Sequence, residues 1–325
     1  MTVVLSVVVP TRGKADRLAL TLDCLRAQTG DRHGGRVGGR ERGQDRSGRR
    51  GAGSGVEVVE VVVVDDDGAD APTAAAVAGS AAGGLPVRLV PGSGAGRAAA
   101  RNTGAAVATG TTLLFLDDDI LTGPGFLAAH LRLGDATPIG PTPSTSDRVV
   151  HGPLRELPLA RRLVLERPVA PFDAVATGRF GRTVENALER MVRQMAEGTT
   201  PPVAPWLACV GGNVSMPRTL WQRGGGFDET FGTVWGCEDL EFGYRLAGAG
   251  AAMCVASGAV GTHLTHVRPG RWAEHEINLT WFLALHDDPA VAALPGLLSA
   301  GGSPRRYLDL LDQQPVYDTG RRETS

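Results

Sequence analysis

The sequence predicts an α/β fold in which a mostly parallel sheet is flanked by helices. Three observations predict it. Four short runs of β-branched and aliphatic residues occur before residue 117, segments of helical character separate them, and polar residues directly follow three of the runs. This alternation is typical of a parallel sheet, and ligands bind such sheets beyond the carboxyl ends of the strands.

The first strand is predicted over Val3 to Val9, a β-branched run of the kind found in buried parallel strands. A helix is predicted after this strand, because Leu18, Leu22 and Leu25 recur at helical spacing. Strand and helix together form the first half of a βαβ unit.

The next segment, residues 30–55, is dominated by Gly and Arg, and Val37 is its only large apolar residue. This composition predicts a solvated, disordered insertion, because it cannot bury enough apolar surface to fold. An RNA-binding Arg/Gly segment is the alternative, but no aromatic residue is interleaved with the arginines.

Three further strands complete the predicted N-terminal sheet, over Val56 to Val64, Pro86 to Val90 and Thr112 to Leu116. A helix of small residues follows the first of them. An alanine-rich helix from Arg97 to Ala108 precedes the last. The resulting βαβαβαβ order favours a parallel sheet wound with helices.

The C-terminal half is less regular. Residues 135–205 are rich in Pro and Arg and show no clear period, apart from a helix predicted over Val184 to Ala196. Further helices are predicted over Glu238 to Ala247 and over Ala273 to His286. The chain after about Gly301 is predicted to be a loose tail.

Composition excludes several classes of protein. The net charge of −2 argues against a nucleic-acid binder, since such a protein relies on broad neutralisation of phosphates. No apolar run reaches the roughly 18 residues of a membrane-spanning helix. The four cysteines form no CxxC pair, so a cytoplasmic protein with neither a zinc site nor disulfides is expected.

Acidic residues mark the ends of two predicted strands. Asp65, Asp66 and Asp67 follow the second strand, and Asp117 to Asp119 follow the fourth. Carboxylates at one sheet edge suit Mg²⁺ or Mn²⁺, and such a cation can bridge two phosphates and neutralise a leaving group. Ordinary strand-to-loop turns are the alternative, because Asp is common in turns.

Two arginines on the intervening helix, Arg97 and Arg101, could supply positive charge to a phosphate or a fork to a base edge. They would also relieve the repulsion among the carboxylates at this edge. Pro10 and Thr11 follow the first strand at the same edge.

A second cluster lies at Trp235, Gly236, Glu238 and Asp239. Glycine lets a ligand approach the backbone, Trp offers a flat face to a sugar, and a carboxylate can accept a proton. A plain helix start is the alternative, because acidic residues are favoured in a first turn.

Two histidines, His263 and His266, follow a run of small residues that resembles a strand. A neutral imidazole is a common metal ligand, although a lone histidine is more often structural.

Taken together, these motifs resemble those of the large inverting family 2 glycosyltransferases of the GT-A fold. Residues 6–11, the VVDD run ending at Asp66, the stretch from Gly96 to Gly104 and the FLDDD run ending at Asp119 are similar to four family motifs in the same order. The block at residues 211–250 is similar to the acceptor side of the family. It also resembles the WGGExxExxxR motif of galactosyl- and N-acetylgalactosaminyl-transferases.

The resemblance implies a role for each matching residue. Those implied for the nucleotide are Pro10, Thr11, Asp66 (to the uracil), Arg97, Arg101, Asp117 and Asp118. Those implied for the sugar or acceptor are Gly212, Asn213, Trp235 and Gly236. Asp119, Asp117 and His263 are implied as ligands of Mn²⁺ or Mg²⁺, with His266 as the substitute. Asp239 is implied as the general base, beside Glu238.

The same resemblance implies three regions. They are a nucleotide-sugar-binding half over residues 1–130, an acceptor-binding half over residues 131–288 and a partly disordered extension over residues 289–325. The sequence departs from the family at Arg12, where an aromatic residue is common, and at Asp67, where Gly is usual.

The expected reaction moves GlcNAc or glucose from a UDP-sugar to a hydroxyl of a small-molecule acceptor, with inversion. Galactose and dTDP-sugars stay open as donors. Biosynthesis of an antibiotic or another specialised metabolite is the expected setting. A cell-envelope saccharide or lipid-linked acceptor is the alternative, and peripheral contact with a membrane stays open.

Three other classes of protein are weighed against this one. The glycine-rich turn from Gly92 to Gly96 resembles a dinucleotide-binding turn of an oxidoreductase, but it follows the third strand and lies near several aspartates. A sugar nucleotidyltransferase would need a Gly-rich phosphate loop after the first strand. A non-catalytic sugar-nucleotide-binding module would be expected to lack Asp239 or the metal aspartates.

Overall fold

The computed structural model describes residues 4–30, 57–68, 70–141, 147–158, 171–179, 181–266 and 270–314. Apart from Gly30, the Gly/Arg insertion predicted at residues 30–55 lies outside the described residues.

The described strands are β1 (Val4–Thr11), β2 (Glu57–Asp65), β3 (Val87–Pro91), β4 (Thr112–Leu116), β5 (Ile120–Thr122), β6 (Thr137–Pro138), β7 (Arg148–His151), β8 (Leu154–Leu157), β9 (Asn213–Pro217), β10 (Ala252–Val255) and β11 (Gly261–Leu264). The described α-helices are α1 (Ala15–Gly30), α2 (Ala71–Ala82), α3 (Arg97–Val107), α4 (Phe126–Leu131), α5 (Pro171–Thr177), α6 (Ala187–Ala196), α7 (Arg218–Arg223), α8 (Glu238–Gly248), α9 (Arg271–Leu285), α10 (Pro289–Ala292) and α11 (Pro304–Leu311). Short 3₁₀ helices cover Pro205–Ala208, Glu229–Phe231 and Leu294–Gly296.

The main sheet has eight strands in the order β3-β2-β1-β4-β9-β7-β10-β6. Its first four strands are mutually parallel, as the sequence predicts, while β9 runs antiparallel to both β4 and β7. A second sheet has three strands in the order β5-β11-β8. The α/β fold class is therefore confirmed.

Strand β1 is the centre of the N-terminal half because its residues are apolar on both faces. Val7, Val8 and Val9 are fully buried between helices on the two sides of the sheet. Helix α3 packs closely against β1 at Gly104, where a Cβ atom would lie 2.4 Å from the Val8 side chain. A larger residue at this position would push the helix away from the sheet.

The predicted meeting of the strand ends is confirmed. The backbone N–H of Asp66 donates to the Thr11 carbonyl at 2.9 Å, and the Thr11 hydroxyl donates to the Asp118 carboxylate at 2.7 Å. Polar residues at the ends of β1, β2 and β4 therefore lie at one edge of the main sheet.

The two halves of the chain share this sheet. Strand β9 pairs with β4 from Asn213, opposite Leu116, to Pro217, opposite Thr112. The three-region division stays a prediction. The pairing nevertheless shows that residues before and after position 131 build one continuous sheet.

Two expectations for the C-terminal half need correction. Residues 135–205 contain β6, β7, β8 and α5, which a search for periodicity misses because the strands have only two to four residues. The loose tail predicted after about Gly301 is wrong for its first part, since α11 packs there and Tyr307 is fully buried. Residues 315–325 lie outside the described residues.

Candidate active site

One carboxylate and two imidazoles form a compact cluster at the edge of the small sheet. A carboxylate oxygen of Asp119 and one nitrogen each of His263 and His266 lie within 4.8 Å of one another. Asp119 follows β4, whereas His263 lies on β11, which hydrogen-bonds to the neighbouring strand β5. The fold thus brings together residues that are more than 140 positions apart.

This cluster fits a divalent cation. Asp119 Oδ1 lies 3.4 Å from His263 Nε2, and Asp119 Oδ2 lies 3.6 Å from His266 Nδ1. The Nδ1 atom of His266 is buried and makes no hydrogen bond within the described residues. A carboxylate oxygen and two ring nitrogens within 4.8 Å of one another are a suitable donor set for such an ion.

Charge is balanced here by basic side chains from the start of α1. The Lys14 ammonium lies 3.1 Å from Asp119 Oδ2 and 3.4 Å from Asp118 Oδ1. The Arg17 guanidinium lies 3.9 Å from Asp119. Burial alone would lower the pKa of Lys14, but the charges of Asp118 and Asp119 outweigh it and raise the pKa. Lys14 is therefore a fixed positive charge at this edge.

A second carboxylate orients His263. The Nδ1 atom of His263 lies 2.7 Å from Glu156 Oε2. Burial alone would lower the pKa of His263, but hydrogen bonds to Asp119 and Glu156 and their charges raise it to about 10. In the same way burial would raise the pKa of Glu156, but the bond to His263 lowers it to about 2.

Asp118 points into the protein. Its side chain is nearly fully buried and accepts the Thr11 hydroxyl, while its carbonyl accepts the Thr21 hydroxyl at 2.9 Å. Burial raises its pKa to about 6, although the Lys14 charge opposes this shift. The hydrogen bond between Thr11 and Asp118 therefore connects the ends of β1 and β4.

Asp66 offers a free acceptor atom. Its Oδ2 accepts the backbone N–H of Gly96 at 3.1 Å, and its buried Oδ1 has no partner within the described residues. Burial raises the pKa of this carboxyl. Gly96 has a φ of +103°, and a Cβ atom there would lie 2.0 Å from the Gly232 carbonyl oxygen, so only glycine fits.

Arg101 joins the two acidic clusters. Its guanidinium donates to Glu238 at 2.7 Å and to Asp117 at 3.0 Å, and only 1% of the residue is exposed. Burial would lower its pKa, but the charges of Asp117, Glu238 and Asp239 raise it further above its usual value. The arginine therefore links the end of β4 to the start of α8.

Asp239 lies beside this bridge and is held by two backbone donors. Its Oδ2 accepts the N–H of Gly211 at 2.7 Å, and its Oδ1 accepts the N–H of Leu240 at 2.9 Å. Burial and the neighbouring Glu238 charge raise its pKa to about 6, although Arg101 and the Gly211 N–H act in the opposite direction. An ionised Asp239 is thus a better base than a free aspartate.

The backbone just before α8 is strained. Cys237 has a φ of +71° and is the one non-glycine residue with a positive φ in the described ranges. Gly236, at φ +107°, leaves space for His275, which a Cβ atom would approach within 2.7 Å. Such strain is common near functional sites, where the surrounding structure must enforce it.

Trp235 is less open than the sequence predicts. The Arg271 guanidinium lies 4.5 Å from the centre of its ring, and the His275 ring centre lies 5.0 Å away. One face of the indole is therefore occupied by a cation, so any sugar contact has to use the remaining surface.

Asn213 and Gly212, both expected to contact the sugar or the acceptor, lie in different surroundings. The Asn213 amide is fully buried; its Oδ1 accepts a hydrogen bond from His130 Nε2 at 2.9 Å, and its Nδ2 donates to the Ala259 carbonyl at 2.9 Å. Both polar groups of this amide already have partners in the core, and the sugar contact expected of Asn213 stays a prediction. Gly212 lies beside Asp117, whose Oδ2 would be 3.2 Å from a Cβ atom there.

Two other residues predicted from the sequence lie at the same edge. Pro10 is buried at the end of β1, and Arg97 is half-buried in the first turn of α3. Sequence reasoning missed Lys14, Arg17 and Glu156. The position of Lys14 just after a strand end was a usable signal, but Glu156 lies in a segment without a visible period.

Comparisons with known proteins agree with this architecture. Residues 6–148 match the model of glycosyl transferase family 2. These residues belong to that family. Residues 196–268, which include Asp239 and His263, match the family described as the N-terminal domain of galactosyltransferase.

Two curated relatives are similar to the chain that carries this glycosyltransferase domain. A validoxylamine A glucosyltransferase of Streptomyces hygroscopicus subsp. jinggangensis (strain 5008) is 33% identical over 308 residues, which cover 90% of the chain and 62% of that relative. Its namesake from subsp. limoneus is 36% identical over 213 residues, which cover 62% of the chain and 42% of that relative. The chain thus spans less than two thirds of the length of either.

Solved structures support the fold. A crystal structure of S. aureus TarS residues 1–349 gives a TM-score of 0.51 at 15% identity, covering 89% of this chain and 69% of that one. A second, with UDP-GlcNAc, gives 0.50 at 16% identity, covering 89% and 70%. The GT-A fold implied by the sequence motifs is confirmed.

Proposed function

We propose that this chain is a hexosyltransferase that moves glucose from UDP-glucose to a hydroxyl of a small-molecule acceptor, with the help of a divalent cation. The observation that carries the proposal is the Arg101 bridge between Asp117 and Glu238. This bridge connects the acidic residues at the sheet edge of the N-terminal half to the start of α8, where the carboxyl group of Asp239 has a raised pKa. The name of both relatives favours glucose over GlcNAc as the sugar.

The nucleotide is expected over the carboxyl ends of β1, β2 and β4. Asp66 Oδ1 is a buried acceptor without a partner in the described residues, which suits the ring N–H of uracil. Thymine carries the same N–H, so the geometry fits UDP and dTDP alike. The resemblance to UDP-sugar transferases favours UDP.

The glycine-rich turn before α3 does not favour a dinucleotide. Its last member, Gly96, gives its N–H to Asp66 and packs against the Gly232 backbone. A phosphate site at a helix start needs a free backbone N–H. Here the N–H of Gly96 already donates to the Asp66 carboxylate, whose negative charge would repel a pyrophosphate.

The residues that would hold a cation are Asp119, His263 and His266. A bound Mn²⁺ or Mg²⁺ would neutralise negative charge on the diphosphate leaving group. Two imidazoles beside one carboxylate favour Mn²⁺, because Mg²⁺ is bound chiefly by oxygen ligands. Asp117 was also expected as a ligand, but it pairs with Arg101 and lies outside this cluster. We assign Asp117 to the nucleotide side of the site.

Asp239 is the proposed general base. The acceptor hydroxyl gives its proton to the Asp239 carboxylate while its oxygen forms a bond to the anomeric carbon and the bond to the diphosphate breaks. The N–H groups of Gly211 and Leu240 fix the orientation of the carboxylate. Glu238 acts through its charge and its bond to Arg101. Inversion of the anomeric carbon is implied by the family resemblance.

The acceptor class rests on the relatives. Both are named for transfer to validoxylamine A, which favours a specialised metabolite over a cell-envelope or lipid-linked acceptor. Among the residues that the structure describes, no helix is both long and apolar enough to cross a membrane.

The test is glycosyl transfer from UDP-glucose to validoxylamine A by wild-type protein and by Asp239→Asn. Loss of a general base should lower kcat about 10²- to 10⁴-fold, while the Kd for UDP stays within about twofold. The matched control is Asp173→Asn, which changes an exposed carboxylate on α5. Normal turnover by Asp239→Asn would remove Asp239 from the proposed role.

A further inference from the structure

Glu156 lies outside the carboxylates and histidines that the sequence motifs mark, yet it contacts the side chain of His263 directly. We propose that Glu156 is a positioning residue that sets the orientation and the tautomer of His263 for a divalent cation. This inference rests on the proposed cation site of Asp119, His263 and His266.

The strand pairing places Glu156 beside His263. Strands β8 and β11 are parallel neighbours, and Glu156 is the register partner of His263. Register partners in neighbouring strands project to the same face of a sheet. Glu156 Oε2 consequently lies 2.7 Å from His263 Nδ1, within the range of a strong hydrogen bond.

This contact determines which nitrogen faces the proposed cation site. When Nδ1 donates its proton to a carboxylate, the lone pair of a neutral imidazole is on Nε2. Nε2 is the atom that lies 3.4 Å from Asp119 Oδ1. Carboxylates that hold metal-binding histidines in this way fix the ring and increase the basicity of the ligating nitrogen.

Glu156 is itself held firmly. Its Oε2 also accepts the Thr265 hydroxyl at 2.7 Å, and its Oε1 accepts the Asn186 amide at 3.3 Å. Its backbone N–H donates to the Val184 carbonyl at 2.8 Å, and the Val184 N–H donates to the Glu156 carbonyl at 2.9 Å. A carboxylate with this many fixed partners loses little further freedom when it orients a ligand.

Asn186 connects this arrangement to helix α6. Its Oδ1 accepts the N–H of Glu189 and caps the helix, while its Nδ2 donates to Glu156. The orientation of His263 therefore depends on the loop before α6 as well as on the small sheet.

Glu185 is a matched control at the same junction. It joins β8 to α6 through Arg155 at 3.3 Å and Arg193 at 2.9 Å. Within the described contacts it does not touch Asp119, His263 or His266. Replacing it loosens the junction between β8 and α6 without removing the bond to His263.

The test measures the Kd for Mn²⁺ by electron paramagnetic resonance, without nucleotide, for wild type, Glu156→Ala, Glu156→Gln and Glu185→Gln. Loss of such a supporting group typically costs about 10- to 100-fold in metal affinity. We expect that loss in Glu156→Ala, a smaller loss in the isosteric Glu156→Gln, and less than about a threefold change in Glu185→Gln. The thermal midpoint of each metal-free variant shows whether it is folded.

Three results would overturn the inference, and they are distinguishable. Wild-type binding of Mn²⁺ with an unchanged Kd in both Glu156 variants would exclude the positioning role and leave the proposed cation site intact. An equal loss of Mn²⁺ affinity in Glu185→Gln would also exclude the positioning role, because the effect would then come from general loosening of the junction between β8 and α6. Failure of wild type to bind Mn²⁺ would overturn the cation site and the role of Glu156 together.

Discussion

Individual charges at the Arg101 bridge set the chemistry of the candidate base. Arg101 is almost fully buried and pairs with both Asp117 and Glu238, and Glu238 also lies next to Asp239 in the first turn of α8. Two carboxylates beside one buried guanidinium leave a residual negative charge. Burial, and after it the charge of Glu238, raise the pKa of Asp239 to about 6.

The pH dependence of kcat/KM should show this pKa. A base works in its ionised form, so with Mn²⁺ saturating at every pH, kcat/KM should fall about tenfold per unit below pH 6. Glu238 raises the pKa of Asp239. Removing its charge in Glu238→Gln should therefore move the acidic limb to lower pH.

Asp118 also has a pKa raised to about 6. The fall of kcat/KM at acidic pH in the wild type therefore does not by itself identify the titrating residue. The largest charge effects on Asp118 come from Lys14, Asp119 and Asp117, and not from Glu238. A limb that stays in place or moves upward in Glu238→Gln would contradict the assignment to Asp239.

Sequence motifs located the residues of this site better than they located its contacts. Asp66, Asp119, Asp239 and His263 carry recognisable local patterns, and the structure places them at one edge. Glu156 carries no such pattern, because its contact with His263 spans 107 positions and depends on the pairing of β8 with β11. A short strand in an aperiodic region gives no warning of that pairing.

At the scale of helices and strands, the fit of α3 against the sheet positions Arg101. The helix approaches β1 and β2 closely because Gly104 has no side chain. A Cβ atom would lie 2.4 Å from the Val8 side chain and 3.0 Å from that of Val64. The exposed Gly79 of α2, in contrast, has no atom within 4 Å of a built Cβ.

These two glycines should therefore respond oppositely to alanine. Gly104→Ala should lower the free energy of unfolding by about 1–3 kcal/mol, because it overpacks a helix–sheet interface. Gly79→Ala should raise it by about 0.5–1 kcal/mol, because alanine is the better helix former. Urea denaturation measures both. Stabilisation by Gly104→Ala would show that α3 lies farther from β1 than described.

Strands and helices of the N-terminal half were predictable because their patterns are long and regular. β4 occupies the predicted residues, and the ends of β2 and α3 differ from the prediction by one residue. The shorter strands between residues 137 and 157 gain their stability from neighbours far along the chain. Their own sequence therefore carries little signal.

Across the whole molecule, the C-terminal helices belong to the same core as the candidate site. Tyr307 on α11 is in the hydrophobic cluster that also contains Val8 of β1 and Phe242 of α8. Its hydroxyl donates to the Ala290 carbonyl at 2.9 Å. The loose tail expected after about Gly301 is wrong for α11, because Tyr307 is buried in this cluster and Leu308, Leu310 and Leu311 pack against it.

Removing this anchor should destabilise the entire fold. Tyr307→Ala should lower the free energy of unfolding by about 3–5 kcal/mol, as expected for a buried aromatic ring. Tyr307→Phe, which loses one hydrogen bond, should cost about 1 kcal/mol. The control is Arg305→Ala on the exposed face of the same helix, with a change within about 0.5 kcal/mol. A Tyr307→Ala protein as stable as this control would mean that α11 is detached in solution.

The central claim is that one edge of this fold binds a nucleoside diphosphate together with a divalent cation. Calorimetric titration of UDP into wild type, Asp119→Ala and the control Asp173→Ala, each with Mn²⁺ and with EDTA, tests it most directly. UDP should bind wild type and the control tightly with Mn²⁺. Binding should weaken at least about tenfold in EDTA and in Asp119→Ala, because the cation links the diphosphate to this carboxylate. UDP affinity that is indifferent to EDTA and to Asp119, or metal-independent NAD binding without any response to UDP, would contradict the account.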